Sequence, residues 1–155
     1  MNLYLVQHSE AKSKEEDPQR SLSEKGLVDV KKIAAFISKN IYIKVKTIFH
    51  SGKTRAQQTA EVLAQYLNPP EGIKEVEGLD PLAVPSIWVE RLAKTEDDIM
   101  LVGHLPHLSK LSSLLICQDE NKIVIDYKNA GVVCLKRDES NVWTVRWILV
   151  PEILI

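Results

Sequence analysis

The sequence predicts an α/β protein: a three-layer α/β/α sandwich with a mostly parallel central sheet and an antiparallel edge. Short runs rich in Val, Ile and Leu, such as residues 3–6 and 99–102, alternate with longer segments of helical periodicity. Such alternation is typical of parallel strands joined by crossover helices. Residues 122–149 instead contain successive β-rich runs, which indicates antiparallel pairing at one edge.

The first half of the chain is predicted to start with a strand, followed by a hydrophilic loop on the ligand side of the sheet. Ser23 is a suitable N-cap for the helix that follows, because apolar side chains recur at helical spacing after it, from Leu27 to Ile37. Asn68-Pro69-Pro70 ends the next helix. The predicted elements are strand 2–7, loop 9–20, helix 24–40, strand 45–49 and helix 53–67.

The second half continues the alternation and then changes to consecutive strands. Pro106 is expected at the first position of its helix, where its missing N–H costs nothing. Residues 138–141 are suited to a hairpin connection, and Trp143 and Trp147 are predicted to pack on one strand face with Val145. The predicted elements are strand 73–76, helix 86–94, strand 99–102, helix 106–117 and strands 123–125, 132–136 and 142–149.

Composition favours one domain over residues 1–155 and excludes several functional classes. The formal net charge is -1 with scattered Lys and Arg, so a nucleic-acid partner is not expected. No apolar run approaches the roughly 20 residues of a membrane span, and the start is too short in apolar residues for a signal peptide, so a cytoplasmic protein is expected. Cys117 and Cys134 form no CxxC pair and are interpreted as small apolar residues.

All four histidines lie at or near predicted strand ends. His8, His50 and His104 each follow a short apolar run, and His107 stands three residues after His104. The carboxyl ends of parallel strands meet at one edge of a sheet, where open α/β folds bind ligands. The grouping therefore predicts that imidazoles gather in one crevice. The alternative is that several are ordinary core or turn histidines with satisfied hydrogen bonds.

Two arginines are placed to make that crevice a phosphate pocket. Arg55 lies in the first turn of the helix that follows His50, so its guanidinium and the free N–H groups of the helix end face the same edge. Arg20, at the end of the first loop, is expected to fold back over the first strand. An imidazole is a competent nucleophile towards phosphorus when cations neutralise the phosphoryl oxygens. Alternatively, both arginines are solvated surface residues.

Four blocks of the sequence follow one another in a set order: Leu5–Ala11, Arg20–Gly26, Ser51–Ala60 and Val102–Pro106. Together they resemble the histidine phosphatase superfamily, and among its branches the small SixA-type phosphohistidine phosphatases. The resemblance implies a phosphoglycerate-mutase-like fold, with His8 as the nucleophile that becomes phosphorylated. It also implies that Arg55 and Arg20 clamp the phosphate and that His104 is a second imidazole on the phosphoryl oxygens.

The chain departs from the family pattern at two positions of the first block. The family has Arg-His-Gly there, whereas this sequence has Gln7 and Ser9 around His8. Gln7 keeps two N–H donors for phosphate but lacks a unit charge, which is worth on the order of 4 kcal/mol at about 4 Å and an effective dielectric constant near 20. Weaker phosphate binding or slower turnover is expected. A protonated His50 would partly replace that charge, although a core position for His50 is an equal alternative.

The general acid is the least determined part of the site. Asp80 and Glu77 are the candidates, and the alternative for Asp80-Pro81 is a simple turn. Phosphohistidine lessens the need for an acid, because its ring nitrogen takes up a proton near the reference pKa of about 6.5 and neutral imidazole then leaves. The remaining histidines, together with Ser9, are expected at the rim of the site: Ser9, His50 and His107.

These observations, together with what the resemblance implies, predict a metal-independent phosphatase that removes phosphate from phosphohistidine on a protein, through a phosphohistidine enzyme intermediate and without a cofactor. The expected partner is a histidine-phosphorylated phosphotransfer domain or phosphocarrier, and no membrane is involved. A low-turnover phosphate-binding module and a phosphatase of small phosphomonoesters are the alternatives. A metal hydrolase built on the four histidines and Asp80 is a third, although the sequence has no H-x-x-x-H signature.

Overall fold

The computed structural model describes all residues, 1–155, and contains six strands, four α-helices and one 3-10 turn. Nearly every element predicted from the sequence is present. In chain order they are β1 (Asn2–Gln7), α1 (Glu24–Asn40), β2 (Thr47–His50), α2 (Thr54–Leu67), β3 (Ile73–Glu75), α3 (Ser86–Ala93), β4 (Ile99–Gly103), α4 (His107–Cys117), β5 (Val132–Arg137), β6 (Trp143–Leu149) and the 3-10 turn (Pro151–Ile153).

The strands form one six-stranded sheet in the order β3-β2-β4-β1-β5-β6. The four strands β3, β2, β4 and β1 run parallel, whereas β5 pairs antiparallel with both β1 and β6. The predicted mostly parallel sheet with an antiparallel edge is confirmed. None of the helices combines the length and apolar character that crossing a bilayer requires.

Each face of the sheet is covered by two helices. The α1/α2 core contains Ile33 and Leu63 from the helices and Val6 and Val102 from the strands. The α3/α4 core on the other face is built around residues such as Leu5. Because side chains alternate along a strand, β1 contributes to both cores in turn, as expected for a central strand buried on both faces.

The start of α1 is fixed by the predicted cap at Ser23 and also by a close approach to the loop after β1. Ser23 Oγ accepts a hydrogen bond from the N–H of Gly26 at 3.0 Å. A Cβ atom at position 26 would lie 2.1 Å from the carbonyl oxygen of Glu10. Glycine therefore lets the first turn of α1 pack against the backbone that follows His8.

Residues 123–125 do not form a strand, so that prediction is wrong. The strands β2, β4, β1 and β5 each have a partner on both sides, which leaves free edges only at β3 and β6. Ile125 and Tyr127 instead bury their side chains in the α3/α4 core. The apolar pattern of this segment thus marks a covering loop.

The prediction that Trp143 and Trp147 share one face with Val145 is also wrong. An irregularity in the pairing of β5 with β6 inserts Arg146 as an extra residue, which reverses the alternation after it. Trp143 packs against the α3/α4 core, whereas Trp147 reaches the α1/α2 core, 6.0 Å from the ring of Tyr4. Both rings nevertheless pack, as expected.

Smaller differences concern element ends. The second strand begins at Thr47 instead of residue 45, and Pro106 is the N-cap of α4 instead of its first residue. Leu27, expected to face inward, is 37% exposed on α1. These shifts leave the carboxyl edge of the parallel strands where the sequence placed it.

Leu5 provides a direct test of the core. It is fully buried in the α3/α4 core, so Leu5→Ala is expected to lower the free energy of unfolding by about 2–5 kcal/mol, through lost burial and a cavity. Urea unfolding followed by circular dichroism measures this. Leu82→Ala is the control, because Leu82 is 87% exposed and should change stability by about 0.5 kcal/mol or less. Equal effects of the two substitutions would contradict the assignment of the core.

Candidate active site

The pairing of β1 with β4 places His8 and His104 side by side. Gln7 pairs with Gly103 at the end of the ladder, and the N–H of His8 donates to the carbonyl of Gly103 at 3.0 Å. The next residue on each strand is a histidine, and alternation sends both rings to the same side. Their ring centroids are 5.0 Å apart and the planes are tilted by 50°.

The tautomer of His8 is set by a backbone contact. Its Nδ1 lies 2.7 Å from the carbonyl oxygen of Ser9, which only accepts, so Nδ1 carries the proton and Nε2 keeps its lone pair. Burial, together with the positive charges of Arg55 and Arg20, lowers the pKa of His8 to about 4 against the opposing effect of the Ser9 carbonyl. At neutral pH the ring is therefore uncharged and nucleophilic at Nε2.

His104 is almost fully buried and is held by a serine from the next loop. Its Nε2 lies 2.6 Å from Ser51 Oγ, while its Nδ1 is buried without a hydrogen-bond partner. Burial lowers its pKa to about 3, and the charges of His8, Arg55 and Lys53 act in the same direction. A second neutral imidazole thus lies beside the first.

Arg55 presents an unsatisfied guanidinium at the start of α2. Its Nε is buried with no acceptor, and burial, followed by the charge of Arg20, lowers its pKa. The N-cap residue Lys53 gives no side-chain hydrogen bond to the first turn of the helix. A buried N–H of a cation next to an uncapped helix N-terminus is suited to bind an anion. The name anion cradle is used for the cluster of His8, His104 and Arg55.

Arg20 is fixed by a structured loop and is not freely solvated. It has φ of 52°, a left-handed conformation that costs a non-glycine residue roughly 1–2 kcal/mol. Its N–H donates to the carbonyl of Asp17 at 2.8 Å, and its Nε donates to the carbonyl of Lys12 at 3.0 Å. The Asp17 carboxylate accepts from the N–H groups of Gln19 and Ser21, so it organises the loop that carries Arg20.

A short hydrogen-bond chain joins the loop after β1 to α2. The N–H of Ser9 donates to Thr59 Oγ1 at 2.9 Å, and Thr59 Oγ1 donates to the carbonyl of Arg55 at 2.7 Å. Ser9 Oγ donates to the carbonyl of Gly26 in α1 at 2.7 Å. The φ of Ser9 is not positive, so serine in place of glycine causes no backbone strain here.

Sequence reasoning did not assign a role to several residues that shape this site. Ser51, Lys53 and Thr59 lie within the block 51–60 whose resemblance was noted, and Gln58 in the same block accepts from the N–H of Leu22 at 2.7 Å. The available signal was the presence of several polar side chains close to Arg55 in the sequence.

Gln7 does not offer both amide hydrogens to a phosphate, contrary to the sequence-based expectation. Its Nε2 donates to Asn129 Oδ1 at 2.7 Å, and its Oε1 is buried without a partner. Asn129 is held next to the end of β1, because the following residue, Ala130, donates its N–H to the carbonyl of Gln7 at 3.0 Å.

His50 and His107 are buried, as His104 is, and the charge of His107 helps to lower the pKa of His104, so the gathering of all four imidazoles in one crevice stays a prediction. His50 is 4% exposed and accepts a hydrogen bond at Nδ1 from the N–H of Gly52. Burial lowers its pKa, so it does not supply the charge that Gln7 lacks. His107 is fully buried, and burial lowers its pKa to about 4.

The expected rim of Ser9, His50 and His107 is therefore not a rim. All three side chains are buried, because β2, the loop after β1 and the first turn of α4 are covered by neighbouring elements. No three His, Cys, Asp or Glu side chains are placed to hold a metal ion together. A metal hydrolase built on the four histidines and Asp80 thus has no ligand set in this arrangement.

The two candidate acids occupy different environments. Asp80 is exposed, and its charge raises the pKa of His107 against burial. The carbonyl oxygen of its neighbour Leu79 lies 3.5 Å from the place that a Cβ atom would occupy at position 103, so this loop crosses the end of β4. Glu77 is exposed, and only its backbone carbonyl is engaged, by Arg91. Placement therefore favours Asp80 over Glu77 for contact with a leaving group.

No family model matches the sequence, and no curated protein matches it. The fold, in contrast, is shared with solved phosphatase structures. The structure of the protein histidine phosphatase SixA in complex with tungstate has a TM-score of 0.83 at 19% identity, and the alignment covers 97% of each chain. The alpha-ribazole phosphatase from Shigella flexneri has a TM-score of 0.80 at 13% identity, also over 97% of each chain.

A variant of the phosphoserine phosphatase from Entamoeba histolytica, bound to phosphoserine, has a TM-score of 0.72 at 15% identity over 99% of each chain. These structures have the phosphoglycerate-mutase-like fold predicted for this chain. At such identities the likeness establishes the fold.

The buried histidines predict a pH-dependent stability. His8, His104 and His107 bind a proton less readily when folded, with pKa values of about 4, 3 and 4 against 6.5. The stabilisation of the folded chain by these neutral histidines is present in full above pH 6.5. It declines as the pH falls towards 4, because the unfolded chain then binds more protons than the folded chain. Urea unfolding at pH 7 and 4.5 should give a lower free energy at pH 4.5, and His107→Gln should reduce that difference. An unchanged difference would count against a buried neutral His107.

Removal of the Arg55 guanidinium tests the anion cradle. Arg55→Met is expected to weaken tungstate binding, measured by calorimetry, by at least about tenfold, since a hydrogen bond to a charged group contributes about 1.5–3 kcal/mol. Arg146→Met is the matched control, because Arg146 is exposed on β6 and should leave the affinity unchanged. Similar affinities for both variants would show that the anion binds elsewhere.

Proposed function

We propose that this chain is a phosphatase of the histidine phosphatase superfamily that transfers a phosphoryl group to His8 Nε2 and then to water. The observation that carries the proposal is the state of His8. It is neutral, its proton is held on Nδ1 by the Ser9 carbonyl, and the charges of Arg55 and Arg20 act on its ring. A nucleophilic lone pair and two cations in one place suit phosphoryl transfer.

In the first step, His8 Nε2 forms a bond to phosphorus while the bond to the leaving group breaks. The leaving group departs with the electron pair of that bond. Arg55 and Arg20 stabilise the charge on the phosphoryl oxygens, and the open N-terminus of α2 adds its N–H dipoles. His104 is buried beside His8, and its Nε2 is already in contact with Ser51 Oγ. Its Nδ1 has no partner and can donate a hydrogen bond to the same oxygens when it carries the ring proton.

In the second step, water attacks phosphorus and the bond to His8 Nε2 breaks. The electron pair returns to Nε2, and the proton of the attacking water leaves with the inorganic phosphate. The hydrogen bond from Nδ1 to the Ser9 carbonyl persists throughout, so the ring keeps its orientation in both steps.

Phosphohistidine on a protein is the substrate that this site suits best. No carboxylate contacts the ring of His8 or His104, and Asp80 is exposed on a neighbouring loop. A phosphohistidine that is already protonated on its ring releases neutral imidazole without a strong acid from the enzyme. The partner is therefore a histidine-phosphorylated phosphotransfer domain or phosphocarrier, in the cytoplasm.

A histidine-phosphorylated phosphocarrier protein is the substrate for the test. The wild-type chain should release phosphate, and His8→Ala should lower the rate by at least about 1000-fold because the nucleophile is lost. Arg146→Met is the control, since Arg146 is exposed on β6. Acid-labile phosphate should accumulate on His8 of the wild-type chain and not on the His8→Ala variant. Equal rates for wild type and His8→Ala would overturn the proposal.

A phosphate-binding module with little turnover is the second candidate, favoured by the neutral Gln7 beside the nucleophile. Gln7→Arg separates the two. A rise from almost no activity to a clear rate supports the binding module, whereas a modest change supports a working enzyme.

A further inference from the structure

Ser51 is placed beside His104 by the register of the sheet. His50, the last residue of β2, pairs with Val102 of β4, so Ser51 leaves the sheet next to the end of β4. The turn that follows is sharp, because Gly52 has φ of 89°, and the N–H of Gly52 donates to His50 Nδ1 at 3.1 Å. In this position Ser51 Oγ lies 2.6 Å from His104 Nε2.

The direction of this hydrogen bond follows from the other contact of the hydroxyl group. The N–H of Lys53 donates to Ser51 Oγ at 3.3 Å, so the oxygen already accepts one hydrogen bond. The hydroxyl carries a single hydrogen, and His104 Nε2 is the acceptor that it contacts in the protein. Donation from Ser51 to Nε2 satisfies both groups. The contact therefore favours an Nε2 that carries no proton.

The ring of His104 then has its proton on Nδ1. Burial lowers the pKa of His104 to about 3, so the ring is neutral at pH 7 and offers one donor and one acceptor. Its Nδ1 is buried and has no hydrogen-bond partner in the protein. A buried donor without an acceptor lowers the stability of the protein until an oxygen atom of a ligand accepts from it. The contact with Ser51 thus leaves one N–H group of His104 available to a ligand.

That N–H group belongs to the anion cradle. The ring centroids of His104 and His8 are 5.0 Å apart, and the charge of Arg55 acts on both rings. Arg55 Nε is also buried without an acceptor. Two unsatisfied donors, one from the end of β4 and one from the first turn of α2, therefore lie near the same nucleophile.

We propose that Ser51 is a positioning residue that fixes His104 in the tautomer with its proton on Nδ1, so that the buried ring presents an N–H donor to the phosphoryl oxygens. This inference rests on the proposed function and adds a residue outside the cradle to the same reaction. Ser51 touches no reacting atom and acts only through His104. In the opposite tautomer a lone pair would take the place of the Nδ1 donor, and the ring would no longer stabilise the negative charge.

Nitrogen NMR of the free protein tests the tautomer without any substrate. In the labelled wild-type chain at pH 7, long-range proton–nitrogen correlations should show His104 protonated on Nδ1 and not on Nε2, and His104→Gln identifies its signals. Ser51→Ala should give a mixture of tautomers or the form protonated on Nε2. Ser51→Thr keeps the hydroxyl and should retain the wild-type form. A wild-type ring protonated on Nε2, or an unchanged tautomer in Ser51→Ala, would overturn the inference.

Anion binding tests the consequence of the tautomer. Ser51→Ala should weaken tungstate binding, measured by calorimetry, by at least about threefold, because the Nδ1 donor is partly or wholly lost. Ser51→Thr should bind as the wild type does. Ser140→Ala, on the exposed hairpin between β5 and β6, is the control. Equal tungstate affinities of Ser51→Ala and Ser140→Ala would overturn the inference.

Turnover separates this inference from the proposed function. Ser51→Ala should lower kcat for a histidine-phosphorylated phosphocarrier, and Ser51→Thr should restore it. If the wild-type chain hydrolyses no phosphohistidine, the proposed function fails, whereas the tautomer of His104 and the tungstate affinities still decide the role of Ser51.

Discussion

The pairing of β1 with β4 is the constraint on which the site depends. The ladder ends at Gln7 and Gly103, and the hydrogen bond from His8 to Gly103 carries the register one residue further. Two histidines that are far apart in the sequence thereby become neighbours at the carboxyl edge. Because the side-chain period of a strand is two, a slip by one residue would send one ring to the opposite face. Burial of β1 and β4 on both faces prevents such a slip.

The helix α2 brings the guanidinium of Arg55 close enough to this imidazole pair for its charge to act on both rings. Its first turn supplies the unsatisfied guanidinium of Arg55, and the hydroxyl of Thr59 ties that turn to the backbone of Ser9. The same burial that keeps both imidazoles neutral also leaves donors without acceptors. Unsatisfied buried donors lower the stability of the free protein and prepare it for a ligand that carries oxygen atoms.

Much of the fold was predictable because local signals and tertiary structure agree. The cap at Ser23, the prolines after Leu67 and the apolar runs before His8 and His104 each specify an element without help from distant residues. The strand predicted over residues 123–125 is absent because the segment packs as a loop, with Ile125 buried in the α3/α4 core, and this tertiary contact has no local signature. The prediction that Trp143 and Trp147 share one strand face is wrong because one extra residue, Arg146, reverses the alternation of side chains.

The site was predictable to the extent that it follows strand ends and a helix start. His8, His104 and Arg55 meet these conditions, whereas His50 follows a strand in the same way and its Nδ1 accepts a hydrogen bond from the N–H of Gly52. The contact of Gln7 with Asn129 joins residues 122 positions apart and has no local signature. The loop around Arg20 likewise depends on hydrogen bonds of Asp17 that composition does not reveal.

A crystal structure of this chain with tungstate is the most direct test of the central claim, that His8 and Arg55 share one oxyanion. The account predicts a single bound anion, with its oxygens within about 3 Å of the Arg55 guanidinium and its metal centre facing His8 Nε2. An anion bound away from His8, or rings of His8 and His104 that do not lie side by side, would contradict it.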